Sequence, residues 1–307
     1  AATAHGFAGT GLRPRDWHHA TKSLQALLLG ARVLRRREAV ISMTSNINVA
    51  HCIVKPRAAW ALVRPEDSRH IMLSRKPKGD MSSMVTEPGW EGCRTFLVDR
   101  REPESETVTS FYLVPEDGGA LPTYRPGQSL GFVLDLPGRM APVIRNYTIS
   151  DSPKDAFHYR LSIKREPAPA DQPDLPPGVS SNYFHDLVQV GTKLLVRPPS
   201  GQFALRPEGK GPVLLLSGGV GCTPMIAMLN AIVDAGSTRN VWFVHGVRNG
   251  REHAFGAHVR AVSQAHDNIR AHICYSRPDD GDVLGEDYDS AGHVTAELLQ
   301  SLMPDTS

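Results

Sequence analysis

Apolar and polar positions change rhythm twice along this chain. Up to about residue 87 the pattern is irregular, apart from residues 23–40. There Leu24, Leu27, Leu28, Ala31 and Leu34 recur at helical spacing and predict a helix. Arg75-Lys76-Pro77-Lys78-Gly79-Asp80 reads as a linker. From Pro88 to about residue 205, short β-rich or alternating segments follow one another, at 95–98, 107–113, 129–134, 145–149, 159–164 and 193–197. Turn clusters such as Arg125-Pro126-Gly127 and Leu136-Pro137-Gly138 separate them, which favours a closed antiparallel barrel or sandwich. From Gly211 the period alternates between strands, at 213–217, 240–247 and 269–276, and helices. The helices run from the first strand to about Gly236, then over 252–265 and 295–302. Repeating β-α units imply a parallel sheet with helices on both faces, and a ligand crevice at the C-terminal ends of its strands. The expected fold is therefore an antiparallel β-barrel over 88–207 and an α/β parallel-sheet domain over 208–307, behind an unassigned extension over 1–87.

Composition narrows the partners. With 307 residues, 40% hydrophobic and 21% charged, the chain has enough apolar content for about two cores. A formal net charge of +2 gives no reason to expect nucleic acid or a membrane surface, and no apolar run approaches a bilayer-spanning length. Cys52, Cys93, Cys222 and Cys274 lie far apart without a C-x-x-C pair, so neither a zinc site nor an iron–sulfur centre is expected. All four read as small buried hydrophobes in a reducing compartment. Before Glu38 the chain carries Arg13, Arg15, Lys22, Arg32, Arg35, Arg36 and Arg37 against the single acid Asp16. That balance resembles an organelle transit peptide, and a basic extension or a mistranslated segment explains it equally well. The cytoplasm is the expected compartment.

Three motifs carry candidate chemistry. Gly218-Gly219-Val220-Gly221-Cys222-Thr223-Pro224 lies between an apolar strand and a helix start. Glycines let backbone approach a phosphate, and the helix N-terminus offers unpaired N–H groups and a positive dipole end. Arg145-Asn146-Tyr147-Thr148 puts a cation, an aromatic ring and a hydroxyl on one strand, with Arg145 and Tyr147 on one face and Thr148 on the other. Gly178-Val179-Ser180-Ser181-Asn182 precedes Tyr183-Phe184-His185-Asp186 as a second helix start, with hydroxyl and amide caps. Taken singly, each has a plain structural reading: a ligand-free turn, a surface pair on a barrel strand, an ordinary N-cap.

Their order, on a barrel followed by an α/β domain, resembles the ferredoxin–NADP reductase superfamily. Together with Pro88-Gly89-Trp90-Glu91-Gly92, Ser162-Ile163-Lys164-Arg165-Glu166 and Val244-His245-Gly246-Val247-Arg248-Asn249, they resemble the reductase half of flavohemoglobin from about Glu87 onward. The resemblance implies FAD in the barrel and NADH or NADPH as electron donor. It implies that Arg145 pairs with the FAD diphosphate, Tyr147 packs on the isoalloxazine and Thr148 bonds near flavin N5. Tyr147 and Thr148 would then be the residues at the chemistry, with Asn146 in the same contacting run. Ser181 and Asn182 would hold the diphosphate from the other side. Gly218, Gly219, Val220, Gly221, Cys222 and Thr223 would carry the NAD(P)H pyrophosphate. Electrons would pass onward to a haem protein or a small oxidant, and no general base is required; His185 and His245 are expected to be structural.

The chain departs from the family in three places. Ser129, counted among the cofactor-contacting positions, stands where the family usually has a flavin-stacking tyrosine, so looser flavin binding is expected. The sequence stops at Ser307, before the family's Cys-Gly-Pro and terminal aromatic segments, so the nucleotide domain is expected to be incomplete. Residues 1–87 do not read as a globin of eight helices, so no haem is expected despite His51 and His70. Two other readings remain open: the reductase component of a multicomponent oxygenase, and an inactive cofactor-binding fragment. Arg248 stands where a cation can approach a 2′-phosphate, which leaves NADH against NADPH undecided.

Overall fold

In a computed structural model, the described residues are 39–43, 51–53 and 89–303, less 155–156, 169–171, 173, 207–208 and 210. The described residues from 39 to 293 fall in one compact unit that contains both sheets. The first sheet is antiparallel, of six strands: β3 (Arg94–Pro103), β4 (Val108–Pro115), β5 (Ser129–Leu134), β6 (Val143–Thr148), β7 (Tyr159–Lys164) and β8 (Lys193–Ser200). Their order is β6-β5-β8-β3-β4-β7, and a bridge between Ile149 and Leu161 brings the end of β6 back to β7. That closure turns alternating residues inward. Phe96, Phe111, Phe132, Leu161 and Val196 are fully buried there, together with Phe184 from helix α1 (Val179–Asp186). Each such side chain contributes roughly 1.5–3 kcal/mol by leaving water.

The second sheet is mainly parallel. It contains β9 (Val213–Gly218), β10 (Val241–Val247), β11 (Ile269–Tyr275) and the short β12 (Ser290–Ala291). Helices α2 (Cys222–Asp234) and α3 (Gly256–Ala265) connect its strands. Val213, Leu215, Val241, Phe243 and Ile273 are almost wholly buried. The continuous apolar run in β9 fits a strand covered on both faces. Val108, from the barrel strand β4, packs into this second core, so the two sheets share apolar surface.

The expected antiparallel barrel followed by an α/β parallel sheet is the observed architecture. Two details differ from expectation. The helix expected over 252–265 starts only at Gly256, because a 3-10 turn (Gly250–Glu252) comes first and Phe255 takes the left-handed conformation at φ 62°. In addition, β1 (Ala39–Met43) runs parallel beside β9, and β2 (His51–Ile53) returns antiparallel to it. The helix expected within 23–40, on the spacing of Leu24 to Leu34, lies outside the described residues, as do the linker at 75–80, the basic segment before Glu38 and His70. Cys222 and Cys274 are buried as expected, but Cys93 is exposed in the turn that leads into β3, after Gly92 at φ 68°. Residues 294–303 belong to a separate unit and form helix α4 (Ala296–Leu302), whose Leu298 amide donates to Thr295 Oγ1 at 3.2 Å. Among the described residues no helix is long and apolar enough to cross a membrane.

Candidate flavin and nucleotide sites

The barrel site is built on β6 and the start of α1. Tyr147 stands edge-on to Phe132, with ring centroids 5.8 Å apart, and to Phe184, at 5.1 Å. These contacts fix its plane. Burial pushes the Tyr147 hydroxyl up to about 12, against a lowering pull from Arg145, so the ring stays neutral. Arg145 is exposed, and among the described residues its guanidinium donates only to the Ile144 carbonyl, at 2.9 Å. Most of its donors are left for an anion. Thr148 and Ser129 are partners across β5 and β6, with their hydroxyls 3.4 Å apart. On the same face Gly131 lies opposite Asn146 and Arg197. A Cβ there would come within 3.1 Å of Asn146 Oδ1 and 3.3 Å of the Arg197 stem, so the missing side chain leaves a shallow cradle. Arg197 and Gly131 were not singled out in the sequence; the two-residue alternation of β8 and β5 would have placed them on this face.

Helix α1 begins differently from expectation. Its N-cap is Gly178, which offers no side-chain cap, and Ser181 and Asn182 lie within the helix. Ser181 Oγ donates to Gly178 O at 3.1 Å and accepts from Glu166 N at 3.2 Å. Asn182 Nδ2 faces Gly178 O at 2.7 Å and Glu166 O at 2.8 Å, while Arg165 donates to its Oδ1 at 3.2 Å. These two side chains therefore close the loop onto β7 and leave the first-turn amides uncapped. Ser180 is the residue the sequence reading missed: its hydroxyl is buried and has no hydrogen-bond partner among the described residues. An orphan hydroxyl at an uncapped helix start, with Arg145 on β6 keeping most of its donors unused, fits a diphosphate. His185 Nε2 is 2.9 Å from Ile163 O, a structural contact.

The candidate nucleotide site is made of backbone. Gly218 ends β9 in an extended conformation, and Gly219 turns at φ 51°, which a side chain would resist. Gly221 is the N-cap of α2 and brings no side-chain cap. Thr223 Oγ1 donates to Val220 O at 3.2 Å and pins the turn. Gly218, Gly219 and Val220 stay partly open to solvent, so their amides are reachable. The Cys222 thiol is buried, and burial pushes it up to about 12; what it can offer a ligand is its amide. Behind the turn, Ser217 Oγ meets the buried His245 Nδ1 at 2.9 Å, and His253 Nδ1 meets Tyr275 OH at 2.9 Å. Burial, with His253 nearby, lowers His245 to about 3, so it remains a neutral structural group. Arg248, exposed at the end of β10, lies 3.7 Å from Glu252, which also pairs with Lys164 at 3.1 Å. Among the described residues no three His, Cys, Asp or Glu side chains gather as a metal site.

Comparison with known proteins gives this geometry its relatives. Residues 215–307 match the model for the oxidoreductase NAD-binding domain. The flavohemoprotein of Bacillus thuringiensis is 41% identical over 220 residues, covering 72% of this chain and 54% of its own length. That of Chromobacterium violaceum is 42% identical over 232 residues, covering 74% and 55%. The chain thus spans about half the length of the curated relatives it matches. The crystal structure of the flavohem-like FAD/NAD-binding domain of nitric oxide dioxygenase from Vibrio cholerae superposes with a TM-score of 0.57 at 32% identity. The match covers 66% of this chain and 79% of that one. The chain belongs to the flavohemoprotein family, as a reductase portion of the FAD-dependent NAD(P)H oxidoreductase class.

Proposed function

We propose that this chain moves hydride from NADH or NADPH to FAD and releases electrons singly to an acceptor. The acceptor is a haem protein or a small oxidant, and where a haem domain is present the output is nitric oxide dioxygenation. The observation that carries the reading is the pair of uncapped helix starts, one in each half of the molecule, with the Arg145–Thr148 strand beside the first. FAD, once bound, supplies the change from two-electron to one-electron chemistry. The chain's own residues bind and orient. Arg145, Ser180 and the first amides of α1 would neutralise the diphosphate. Tyr147, with its plane fixed by Phe132 and Phe184, would limit how the ring system lies, and Thr148 would offer a hydrogen bond at its reacting edge. The amides of residues 218–223 would hold the dinucleotide pyrophosphate. Ser181 and Asn182 would act by shaping the helix start.

The test is steady-state oxidation of NADH and of NADPH with ferricyanide after reconstitution with FAD. Turnover with at least one nucleotide, together with a yellow protein whose melting temperature rises with FAD, is expected. A colourless chain with an unchanged melting temperature would overturn the reading. A chain that binds flavin without turnover would be a cofactor-binding fragment. If Arg248 reads a 2′-phosphate, Arg248→Ala weakens use of NADPH and leaves NADH untouched.

A further inference from the structure

The segment after β6, strand β7 and helix α2 meet at one carboxylate between the two sheets. Asp151 lies three residues beyond Thr148. Its Oδ1 accepts from Ser152 N at 2.8 Å and from Asn230 Nδ2, on α2, at 3.0 Å. Its Oδ2 faces Arg160 Nε, on β7, at 3.6 Å and His158 Nε2 at 3.9 Å, and its backbone carbonyl accepts from Tyr124 OH at 2.7 Å. Asn230 Oδ1 in turn meets His258 Nε2, on α3, at 2.7 Å. The Arg160 guanidinium lies over the ring of Phe255, 5.1 Å from its centroid, where the left-handed backbone turns into α3. The contacts of Asp151 fix the end of the strand that carries Tyr147 and Thr148; those of Asn230 fix the helix that opens on the phosphate turn.

Both arms are short and stiff. Asp151 follows Thr148, the last residue of β6, by three positions, and Ile149 and Ser150 between them are held by amide hydrogen bonds to Gln128 O at 3.0 Å and Arg160 O at 2.8 Å. Eight helical residues separate Cys222 from Asn230, about 12 Å. A displacement at the Asp151–Asn230 contact is therefore carried to both ligand-holding ends at nearly full size. We propose that Asp151 and Asn230 are positioning residues for hydride transfer, setting the separation of the flavin strand from the nucleotide turn. Other ties join the halves: Lys164 to Glu252 at 3.1 Å, Lys154 to Asp234 at 3.4 Å, and the Glu106 amide to Arg251 O at 3.0 Å. Breaking the Asn230 contact should therefore loosen the geometry without parting the sheets. A misplacement of about 1 Å costs on the order of a hundredfold in rate.

This inference rests on the proposed hydride transfer, and its test keeps the two apart. In the apoprotein with Cys52→Ser, spin labels at the exposed Cys93 and at Gln264→Cys on α3 report the distance between the halves; Cys222 and Cys274 are buried. Asn230→Leu is expected to broaden that distribution, and the exchanged pair Asp151→Asn with Asn230→Asp to narrow it again. In the FAD-loaded chain, Asn230→Leu is expected to lower the rate of flavin reduction at saturating NADH at least about tenfold. The long-wavelength charge-transfer absorbance should weaken, while the Kd values of FAD and NADH stay within about twofold. An unchanged distance distribution overturns the proposal, whether or not the wild type binds flavin. So does a variant that raises KM and leaves the maximal rate intact, or an exchanged pair that restores nothing.

Discussion

The flavin half and the nucleotide half each present a helix start without a side-chain cap, and they reach it by opposite means. At α1, side chains do the shaping: Ser181 and Asn182 tie the turn to Gly178 and Glu166, and Ser180 is left over. At α2 the backbone does it, through Gly219 at positive φ and Gly221 as N-cap, with Thr223 as the only hydroxyl brace in the turn. A site shaped by side chains should fail by loss of particular bonds. One shaped by glycine should fail by strain.

Four substitutions probe that contrast. Arg145→Ala removes a charged donor from the flavin side alone, worth about 1.5–3 kcal/mol. FAD affinity should fall roughly 10- to 100-fold by titration, with apoprotein stability and NADH affinity unchanged, because Arg145 is exposed and among the described residues holds only its neighbour's carbonyl. A matching loss of NADH affinity would show that the two halves are not separable. Gly219→Ala comes next, since a left-handed backbone costs a residue with a side chain about 1–2 kcal/mol. NADH affinity is expected to drop roughly tenfold while FAD affinity holds.

The third probe is pH. His245 has an ordinary value near 6.5 and is lowered to about 3 in the fold, first by burial. Its folded form refuses a proton that the unfolded chain accepts, so its contribution is complete above about pH 6.5 and is lost as pH falls toward 3. That slope approaches about 1.4 kcal/mol per pH unit. His245→Asn should flatten the fall in Tm between neutral pH and pH 5; an unchanged slope would assign the acid sensitivity elsewhere. The smallest effect is expected from Ser180→Ala, about 1 kcal/mol in FAD affinity, read as a few-fold change in Kd. No change there would mean that the orphan hydroxyl faces something other than the diphosphate.

Much of the fold was legible because period and turn chemistry agree. Residues 129–134 and 159–164 read as strands and are strands with those bounds. The strand–glycine–helix order at Gly218 marks its own turn. What failed was local in one case and distant in another. Ser181 and Asn182 have the chemistry of N-caps, so the sequence placed the helix start on them, yet a tertiary anchor at Glu166 lets the helix begin at Gly178. Phe255 holds back the start of α3 to Gly256: its ring is buried beneath Arg160 while its backbone is left-handed, which periodicity does not register. The Asp151–Asn230 contact spans 79 residues and leaves no local trace. Ser180 carried only a weak signal, a hydroxyl in the first turn of a glycine-led helix.

The small strand Ala39–Met43 has a consequence of its own. By lying in register along the whole of Val213–Ser217, it moves β9 from the rim of the sheet to its interior. Amide protons of Leu214 and Leu216 should then be among the slowest in the chain to exchange with solvent deuterium, and trimming the polypeptide before residue 54 should quicken them.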